Sequence, residues 1–161
     1  MSVVNTNSFA AVILAAGKGT RMKTKLPKVM HELDGKPLVR YVVDSVKDIC
    51  DRKVLVISAD NGYTHDLFGD EVEYAVQEKQ LGTGHAVMSA EGLLNNQISH
   101  VIVLYGDMPF VTRESIERLM KKHTDKNNTI TLMTAVLPNF DDWRESFYSF
   151  GRIVRGQDGH I

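Results

Sequence analysis

A short apolar run that leads into a glycine-containing, cationic loop limits the possible folds of this chain more than any other feature. Residues 9–14 (Phe-Ala-Ala-Val-Ile-Leu) are typical of a buried strand, and residues 14–22 (Leu-Ala-Ala-Gly-Lys-Gly-Thr-Arg-Met) follow it. Small residues let backbone N–H groups come close to phosphate oxygens, and Lys18 and Arg21 add positive charge. The Arg21 guanidinium can bind two phosphate oxygens at once. The sequence therefore predicts a phosphate-binding loop at the carboxyl end of a first strand, where open α/β sheets bind their ligands.

Two common phosphate-binding loops do not fit this stretch. A P-loop requires a glycine five positions before Gly17, where this chain has Val12. The dinucleotide-binding pattern requires a small third residue, and Met22 occupies that place. An ordinary turn between a strand and a helix remains the alternative interpretation.

Composition narrows the class of protein. The chain has 161 residues, 43% of them hydrophobic, which suits one globular domain. A formal net charge of -1 argues against binding of nucleic acid, and no apolar run is long enough to span a membrane. Cys50 is the only cysteine, so an internal disulfide is excluded and the thiol is predicted to be a core residue. We expect a cytoplasmic protein with a short mobile tail over residues 1–8.

The order of predicted elements indicates an α/β fold. Strands are predicted over residues 53–58, 72–76 and 100–104, the last as a central strand because it is almost entirely apolar. Helices are predicted between them, and this alternation is typical of a parallel sheet with helices on both faces. The first helix is expected after Gly35-Lys36-Pro37, with a buried stripe of Val39, Val42, Val43, Val46, Ile49 and Cys50.

The remaining elements are predicted from shorter signals. A short helix is expected over residues 63–68, another after Gly84 with Ala86, Val87, Ala90, Leu93 and Leu94 on one face, and a third over residues 113–123, capped by Thr112. Further strands are predicted over residues 129–136 and 151–155, the second ending in a hairpin turn at 156–159. Residues 138–149 are aromatic and acidic and receive no assignment.

The loop over residues 77–84 is predicted to recognise a base. The Gln77 amide carries both a donor and an acceptor, which suits the imide edge of uracil, and Gly82 allows the backbone to approach a flat ring. The alternative is a helix start at which Thr83 is the N-cap and no ligand is involved. His85 is predicted to be a packed or capping histidine.

Asp107 is the best candidate for a metal ligand. It follows the apolar strand over residues 100–104 and stands beside a glycine, so it faces the same crevice as the first loop. Mg²⁺ is commonly bound by carboxylate oxygens together with substrate phosphates. The alternative is a turn aspartate that caps the next helix, although Thr112 is better placed for that role.

These motifs resemble those of a known family. Residues 14–22, together with Leu26-Pro27-Lys28, resemble the signature of the sugar-1-phosphate nucleotidyltransferases. Residues 80–86 (Gln-Leu-Gly-Thr-Gly-His-Ala) are similar to the uridylyltransferase half of the bifunctional N-acetylglucosamine-1-phosphate uridylyltransferases. The resemblance covers residues 9–161. It implies a Rossmann-like three-layer α/β/α nucleotidyltransferase fold, of the MobA-like NTP transferase type, with a mostly parallel sheet.

The resemblance also implies an activity: UTP and N-acetylglucosamine-1-phosphate would give UDP-N-acetylglucosamine and pyrophosphate, with Mg²⁺ as cofactor, for the synthesis of cell-wall peptidoglycan. It implies that Arg21 and Lys28 are catalytic and that Asp107 holds the metal. The residues that it implies for nucleotide binding are Leu14, Ala15, Ala16, Gly17, Gln77, Gly82 and Thr83. Those that it implies for sugar binding are Tyr105, Gly106 and Gly151.

The family continues beyond the last residue of this sequence, with more strands and a second metal-binding side chain. We therefore expect the chain to be a C-terminally truncated copy that ends inside a hairpin. Two other functions stay open at this point. One is nucleotidyl transfer to another sugar phosphate or to a MobA-type substrate, and the other is nucleotide binding without turnover.

Overall fold

The computed structural model describes residues 8–17, 24, 26–59 and 62–157 of the chain. The chain separates into two compact units, which divide between Thr131 and Leu132. The first unit holds all of the helices and strands except one 3₁₀ helix. None of the helices that the structure describes combines the length and apolar character needed to span a bilayer.

The first unit is built on a parallel sheet of four strands, β1 (Phe9–Leu14), β4 (Arg52–Ser58), β5 (Glu73–Gln77) and β6 (His100–Tyr105). Their order across the sheet is β5-β4-β1-β6. The chain adds β4 and β5 on one side of β1 and then returns to place β6 on its other side. This reversal of strand order is a topological switch point, where the carboxyl ends of two neighbouring strands diverge into a crevice.

Helices cover both faces of the sheet, as the sequence predicts. They are α1 (Leu38–Val46), α2 (Tyr63–Phe68), α3 (Thr83–Met88) and α4 (Arg113–Asp125). Alternate residues of β1 point to opposite faces, so Ile13 packs with α1 and with Ile116 of α4, whereas Val12 packs with Ala86 of α3. The predicted three-layer α/β/α architecture is confirmed.

The segment between β1 and α1 contains a 3₁₀ turn (Lys28–Met30) and a small antiparallel pair, β2 (Glu32–Leu33) and β3 (Lys36–Pro37). Val29 is buried in the main core, and this anchors the turn beneath the end of β1. Pro37 immediately precedes α1, whose buried stripe is the predicted one over Val39, Val42, Val43 and Val46. Ile49 and Cys50 lie beyond the helix end.

Several predicted features differ in the structure. The strand over residues 100–105 is present but lies at the edge of the described sheet, not at its centre. Val101 and Val103 lie on the same face of the sheet as Val12, which packs against α3. At the position of β6 this face is only partly covered, so the two valines are 43% and 39% exposed. An apolar run therefore indicates burial on both faces only where helices cover both.

The helix after Gly84 ends at Met88 and is followed by a 3₁₀ turn (Glu91–Leu93), so the predicted apolar face is shorter than expected.

The predicted cap of α3 is also wrong. Gly82, with φ +103°, occupies the N-cap position, and Thr83 is the first helical residue. Glycine adopts this left-handed conformation readily, and its carbonyl accepts the Ala86 N–H at 3.1 Å. The predicted cap of α4 is confirmed, since the Thr112 side chain accepts a hydrogen bond from the Ser115 N–H at 3.3 Å.

Two predicted strands are absent from the described residues. Residues 129–136 and 151–155 are irregular, and most of their apolar side chains are exposed, Val136 at 94%. A β-propensity pattern becomes a strand only when a neighbouring strand supplies hydrogen bonds, and no described strand pairs with these segments. Residues 158 and 159 of the predicted hairpin turn lie outside the described residues, as do residues 1–7 of the predicted tail. Ser8 is buried, and its carbonyl accepts the His100 N–H at 3.0 Å.

The second unit contains a 3₁₀ helix (Asp142–Ser149) surrounded by aromatic contacts. The Trp143 and Phe147 rings meet edge to face, as do Phe140 and Tyr148. The Arg152 guanidinium lies over the Phe140 ring at 4.8 Å and donates to the Tyr148 carbonyl at 3.0 Å. The unassigned residues 138–149 therefore form a small cluster of their own.

The carboxyl ends of β1 and β6 stay hydrogen-bonded to each other beyond the last residue of β6. The Gly106 N–H donates to the Leu14 carbonyl at 2.9 Å, one residue beyond the end of β6. A Cβ at position 106 would lie 3.0 Å from the Leu14 oxygen and 3.2 Å from Val29 Cγ1. Gly106 is therefore required by close approach of the backbone and not by an unusual dihedral angle.

We expect Gly106→Ala to lower the free energy of unfolding by about 1–2 kcal/mol, because the added methyl group must push the two strand ends apart. Gly92→Ala is the matched control, since a Cβ at that position meets no heavy atom within 4 Å. Urea denaturation of both variants measures the difference. Equal stability of Gly106→Ala and the unmodified chain would contradict this packing.

Cys50 is buried in the core, as the sequence predicts, and we expect this to make stability depend on pH. Burial of the thiol, and next the Asp51 carboxylate, raise the pKa of Cys50 from its ordinary value of 9.0 to about 11. Between these two values the unfolded chain releases the proton and the folded chain keeps it. The free energy of unfolding should therefore fall by about 2–3 kcal/mol as the pH rises from 9 to 11, and should be unaffected by this group below pH 9.

Denaturation of the unmodified chain and of Cys50→Ala at several pH values measures this contribution. Other groups titrate in the same range, so the quantity of interest is the difference between the two pH dependences. Parallel curves for the two proteins would show that the thiol does not contribute.

Candidate functional site

A cleft of about 300 Å³ opens at the carboxyl ends of β1, β5 and β6, at the topological switch point of the sheet. Its walls come from the loop after β1, the turn that begins at Lys28, the loop between β5 and α3, and the end of β6. The residues that line it are Leu14, Ala16, Gly17, Lys28, Val29, Gln77, Gln80, Gly82, Thr83, Ala86, Tyr105 and Asp107.

The loop after β1 presents small residues to the cleft. Ala15 is buried, and its N–H donates to the Val56 carbonyl at 2.8 Å, which extends the β1–β4 pairing by one residue. Ala16 and Gly17 then line the cleft, and a Cβ on Gly17 would meet no heavy atom of the described residues within 4 Å. The backbone at this point is therefore accessible to a ligand, as a phosphate-binding loop requires.

The loop between β5 and α3 is tied to the loop after β1. The Gln80 side-chain nitrogen donates to the Ala16 carbonyl at 2.7 Å, across 64 residues of sequence. Gln77 is only 4% exposed, and its side-chain nitrogen lies 3.2 Å from the Gly82 carbonyl and 3.2 Å from His85 Nδ1. The two loops therefore form one hydrogen-bonded wall of the cleft.

Two opposite charges face each other in the cleft. Lys28 Nζ lies 2.7 Å from Asp107 Oδ2, and the two side chains are 47% and 29% exposed. Lys28 is the first residue of its 3₁₀ turn, and Asp107 follows Gly106 at the end of β6, so separate elements bring them together. An ion pair with this exposure is worth little to stability, and both charges remain available to a ligand.

The donor set at Asp107 suits one type of metal site. Within the described residues, no group of three or more His, Cys, Asp or Glu side chains could enclose a metal ion. Mg²⁺ keeps several waters and is commonly held by one or two carboxylates plus substrate phosphates. A single carboxylate in a cleft beside a loop suited to phosphate fits a divalent ion that is bound jointly with a nucleotide.

The structure brings together most of the predicted site residues. Leu14, Ala16, Gly17, Lys28, Gln77, Gly82, Thr83, Tyr105 and Asp107 all line the cleft. Ala15 and Gly106 are neighbours in sequence of these residues, and their backbone N–H groups donate to the Val56 and Leu14 carbonyls. Gly151 belongs to the second unit, where it is exposed. Arg21 lies outside the described residues, as do Lys18, Lys23 and Lys25.

Sequence reasoning missed three residues of the cleft: Gln80, Val29 and Ala86. Gln80 stands in the same loop as Gln77, and its long amide side chain was the available signal. His85 is predicted to pack or cap, whereas its ring contacts the Gln77 amide. The contacts of Gln80 and His85 depend on how the loop folds back, which residue spacing alone does not determine.

The sequence is similar to those of curated proteins. The sequence is 47% identical over 152 residues to the bifunctional protein GlmU of Acetivibrio thermocellus, a match that covers 94% of this chain and 32% of that protein. It is 44% identical over 152 residues to the bifunctional protein GlmU of Geobacillus thermodenitrificans, with the same two coverages. The chain therefore spans about a third of the length of these curated relatives.

Solved structures support the fold. Rv0371c from Mycobacterium tuberculosis superposes with a TM-score of 0.62 at 17% identity, covering 71% of this chain and 60% of that one. A 4-diphosphocytidyl-2C-methyl-D-erythritol synthase from Anaerococcus prevotii gives 0.59 at 20% identity, covering 74% and 52%. Residues 11–139 match the family described as the MobA-like NTP transferase domain, and the chain belongs to that family.

Proposed function

We propose that the cleft binds UTP and N-acetylglucosamine-1-phosphate and transfers the uridylyl group to the sugar phosphate. The observation that carries this proposal is the Lys28–Asp107 pair, which stands at a switch-point cleft between two loops with small residues. Membership of the MobA-like NTP transferase family supports nucleotidyl transfer in general. The particular substrates are proposed from the resemblance of residues 80–86 to the N-acetylglucosamine-1-phosphate uridylyltransferases.

The chemistry is an in-line displacement at phosphorus. An oxygen of the sugar phosphate attacks the α-phosphorus of UTP, the bond to the β-phosphate oxygen breaks, and pyrophosphate leaves with both electrons of that bond. Little acid–base chemistry is needed, so the protein contributes positioning and neutralisation of charge. Inorganic pyrophosphate and UDP-N-acetylglucosamine are the products.

Each side chain then has a defined task. The backbone after β1 approaches the phosphates, because Ala16 and Gly17 leave space there. The Lys28 ammonium contacts the α-phosphate and the sugar phosphate and reduces the repulsion between them. Asp107 would hold Mg²⁺, which supplies positive charge to the phosphate oxygens when it is bound. Arg21 is proposed to bind the triphosphate.

Substrate and metal would compete with the Lys28–Asp107 ion pair, since each of these two charges contacts the other in the structure. A phosphate group provides a new partner for the ammonium, and a divalent cation provides one for the carboxylate. Each binding event favours the other. When phosphate binds the Lys28 ammonium, the Asp107 carboxylate is released for the cation, and when the cation binds Asp107, Lys28 is released for the phosphate. This coupling is the reason that a metal–nucleotide complex suits the cleft better than either component alone.

We expect Asp107→Asn and Lys28→Met to reduce the rate of pyrophosphate release at least about 100-fold, since each removes a charge aimed at the reacting phosphates. The matched controls are Asp48→Asn and Lys121→Met, which break exposed ion pairs with Arg113 and Asp125 and should change the rate by less than about twofold. The assay follows pyrophosphate from UTP, Mg²⁺ and N-acetylglucosamine-1-phosphate.

The same assay with the four nucleoside triphosphates and a series of sugar phosphates tests the substrates. Faster turnover of another nucleotide or sugar phosphate would reassign the substrate within the family. Binding of UTP in calorimetry with no pyrophosphate release would instead indicate a nucleotide-binding module. Normal Mg²⁺-dependent turnover by Asp107→Asn would contradict the assigned metal ligand.

A further inference from the structure

The Gln77 amide is held in one orientation by its two contacts. Its nitrogen lies 3.2 Å from the Gly82 carbonyl oxygen, which can only accept a hydrogen bond and which also accepts the Ala86 N–H. The amide must therefore place its NH₂ group, and not its oxygen, against Gly82. This orientation follows from the chemistry of the partner.

The second N–H of the same amide determines the state of His85. The Gln77 nitrogen lies 3.2 Å from His85 Nδ1, and it can only donate. His85 Nδ1 must then be the acceptor, which places the ring hydrogen on Nε2. In this tautomer His85 adds a second hydrogen bond that opposes rotation of the amide.

The oxygen of the amide is the part that remains for a ligand. Gln77 lines the cleft although it is only 4% exposed, and both of its hydrogen-bond donors are engaged within the protein. Among the contacts described for this side chain, none uses Oε1. The Gln77 side chain therefore presents a hydrogen-bond acceptor to the cleft, while its donors are used within the protein. The sequence alone suggests that Gln77 supplies both a donor and an acceptor to the ligand.

We propose that His85 is a specificity-determining positioning residue, which holds the Gln77 amide as an acceptor and so favours uracil over cytosine. The inference rests on the proposed binding of a uridine nucleotide in this cleft. Uracil carries a hydrogen on N3, which pairs with Oε1. Cytosine has a lone pair at N3, so it faces the same oxygen with repulsion unless the amide rotates. Rotation would give up the hydrogen bond to Gly82 and would force His85 into its Nδ1–H tautomer.

Two measurements test this inference. In the first, calorimetry gives the dissociation constants of Mg-UTP and Mg-CTP for the unmodified chain, His85→Ala and Gln80→Ala. We expect the unmodified chain to bind UTP roughly tenfold to a hundredfold more tightly than CTP. His85→Ala should reduce this ratio about fivefold, since one neutral hydrogen bond that restrains the amide is lost.

Gln80→Ala is the control for general loosening of the loop, because it removes the bond to the Ala16 carbonyl and leaves Gln77 untouched. It should weaken the binding of both nucleotides by a similar factor and leave the ratio unchanged. In the second measurement, ¹⁵N NMR of the histidine rings identifies the nitrogen of His85 that carries the hydrogen. The Nε2–H tautomer is expected.

The outcomes separate the inference from the proposed function. A hydrogen on Nδ1 of neutral His85, or an unchanged UTP/CTP ratio in His85→Ala, overturns the role of His85 and leaves nucleotide binding intact. If the unmodified chain binds neither nucleotide, the proposed function fails and this inference fails with it. A reduced ratio together with the Nε2–H tautomer supports the inference.

Discussion

The hydrogen bond from the Gly106 N–H to the Leu14 carbonyl determines where the site can exist. It joins the ends of β1 and β6 at the one place where the strand order of the sheet reverses, so the loops that follow the two strands begin side by side. The contact requires a residue without a side chain, because a Cβ would lie 3.0 Å from the Leu14 oxygen. Asp107 is the next residue, and its position beside the loop after β1 follows from this contact.

The sequence predicted the frame of the first unit well, because its signals are local and strongly periodic. The buried stripe of α1 and the apolar strands β1 and β4 follow from residue spacing alone, and Thr112 caps α4 as expected. The predicted strands over residues 129–136 and 151–155 failed because a strand needs a partner, and partners depend on the rest of the fold.

The site was predictable to a similar degree and for a similar reason. Gln77, Gly82 and Asp107 were predicted because a parallel sheet brings strand ends together, and each of them follows or lies near such an end. Lys28 was predicted only through the resemblance of Leu26-Pro27-Lys28 to a family signature. The orientation of the Gln77 amide was not predictable, since it depends on a carbonyl five residues later and on an imidazole eight residues later. Gln80 was missed because its partner is 64 residues away.

The cleft contains charged side chains at one place and an uncharged amide at another, and we expect the two to recognise different parts of a ligand. Among the described residues that line the cleft, the charged side chains are Lys28 and Asp107, and their opposite charges offset each other until a ligand carrying both phosphate and a cation arrives. The Gln77 amide, in contrast, carries no charge, and it donates hydrogen bonds to the Gly82 carbonyl and to His85 Nδ1. Neutral hydrogen bonds add little net affinity but penalise a mismatched partner, because a desolvated polar atom without a partner costs more than a formed bond returns. In the proposed function, the charged end therefore supplies most of the affinity for phosphates, and the neutral end supplies the choice of base.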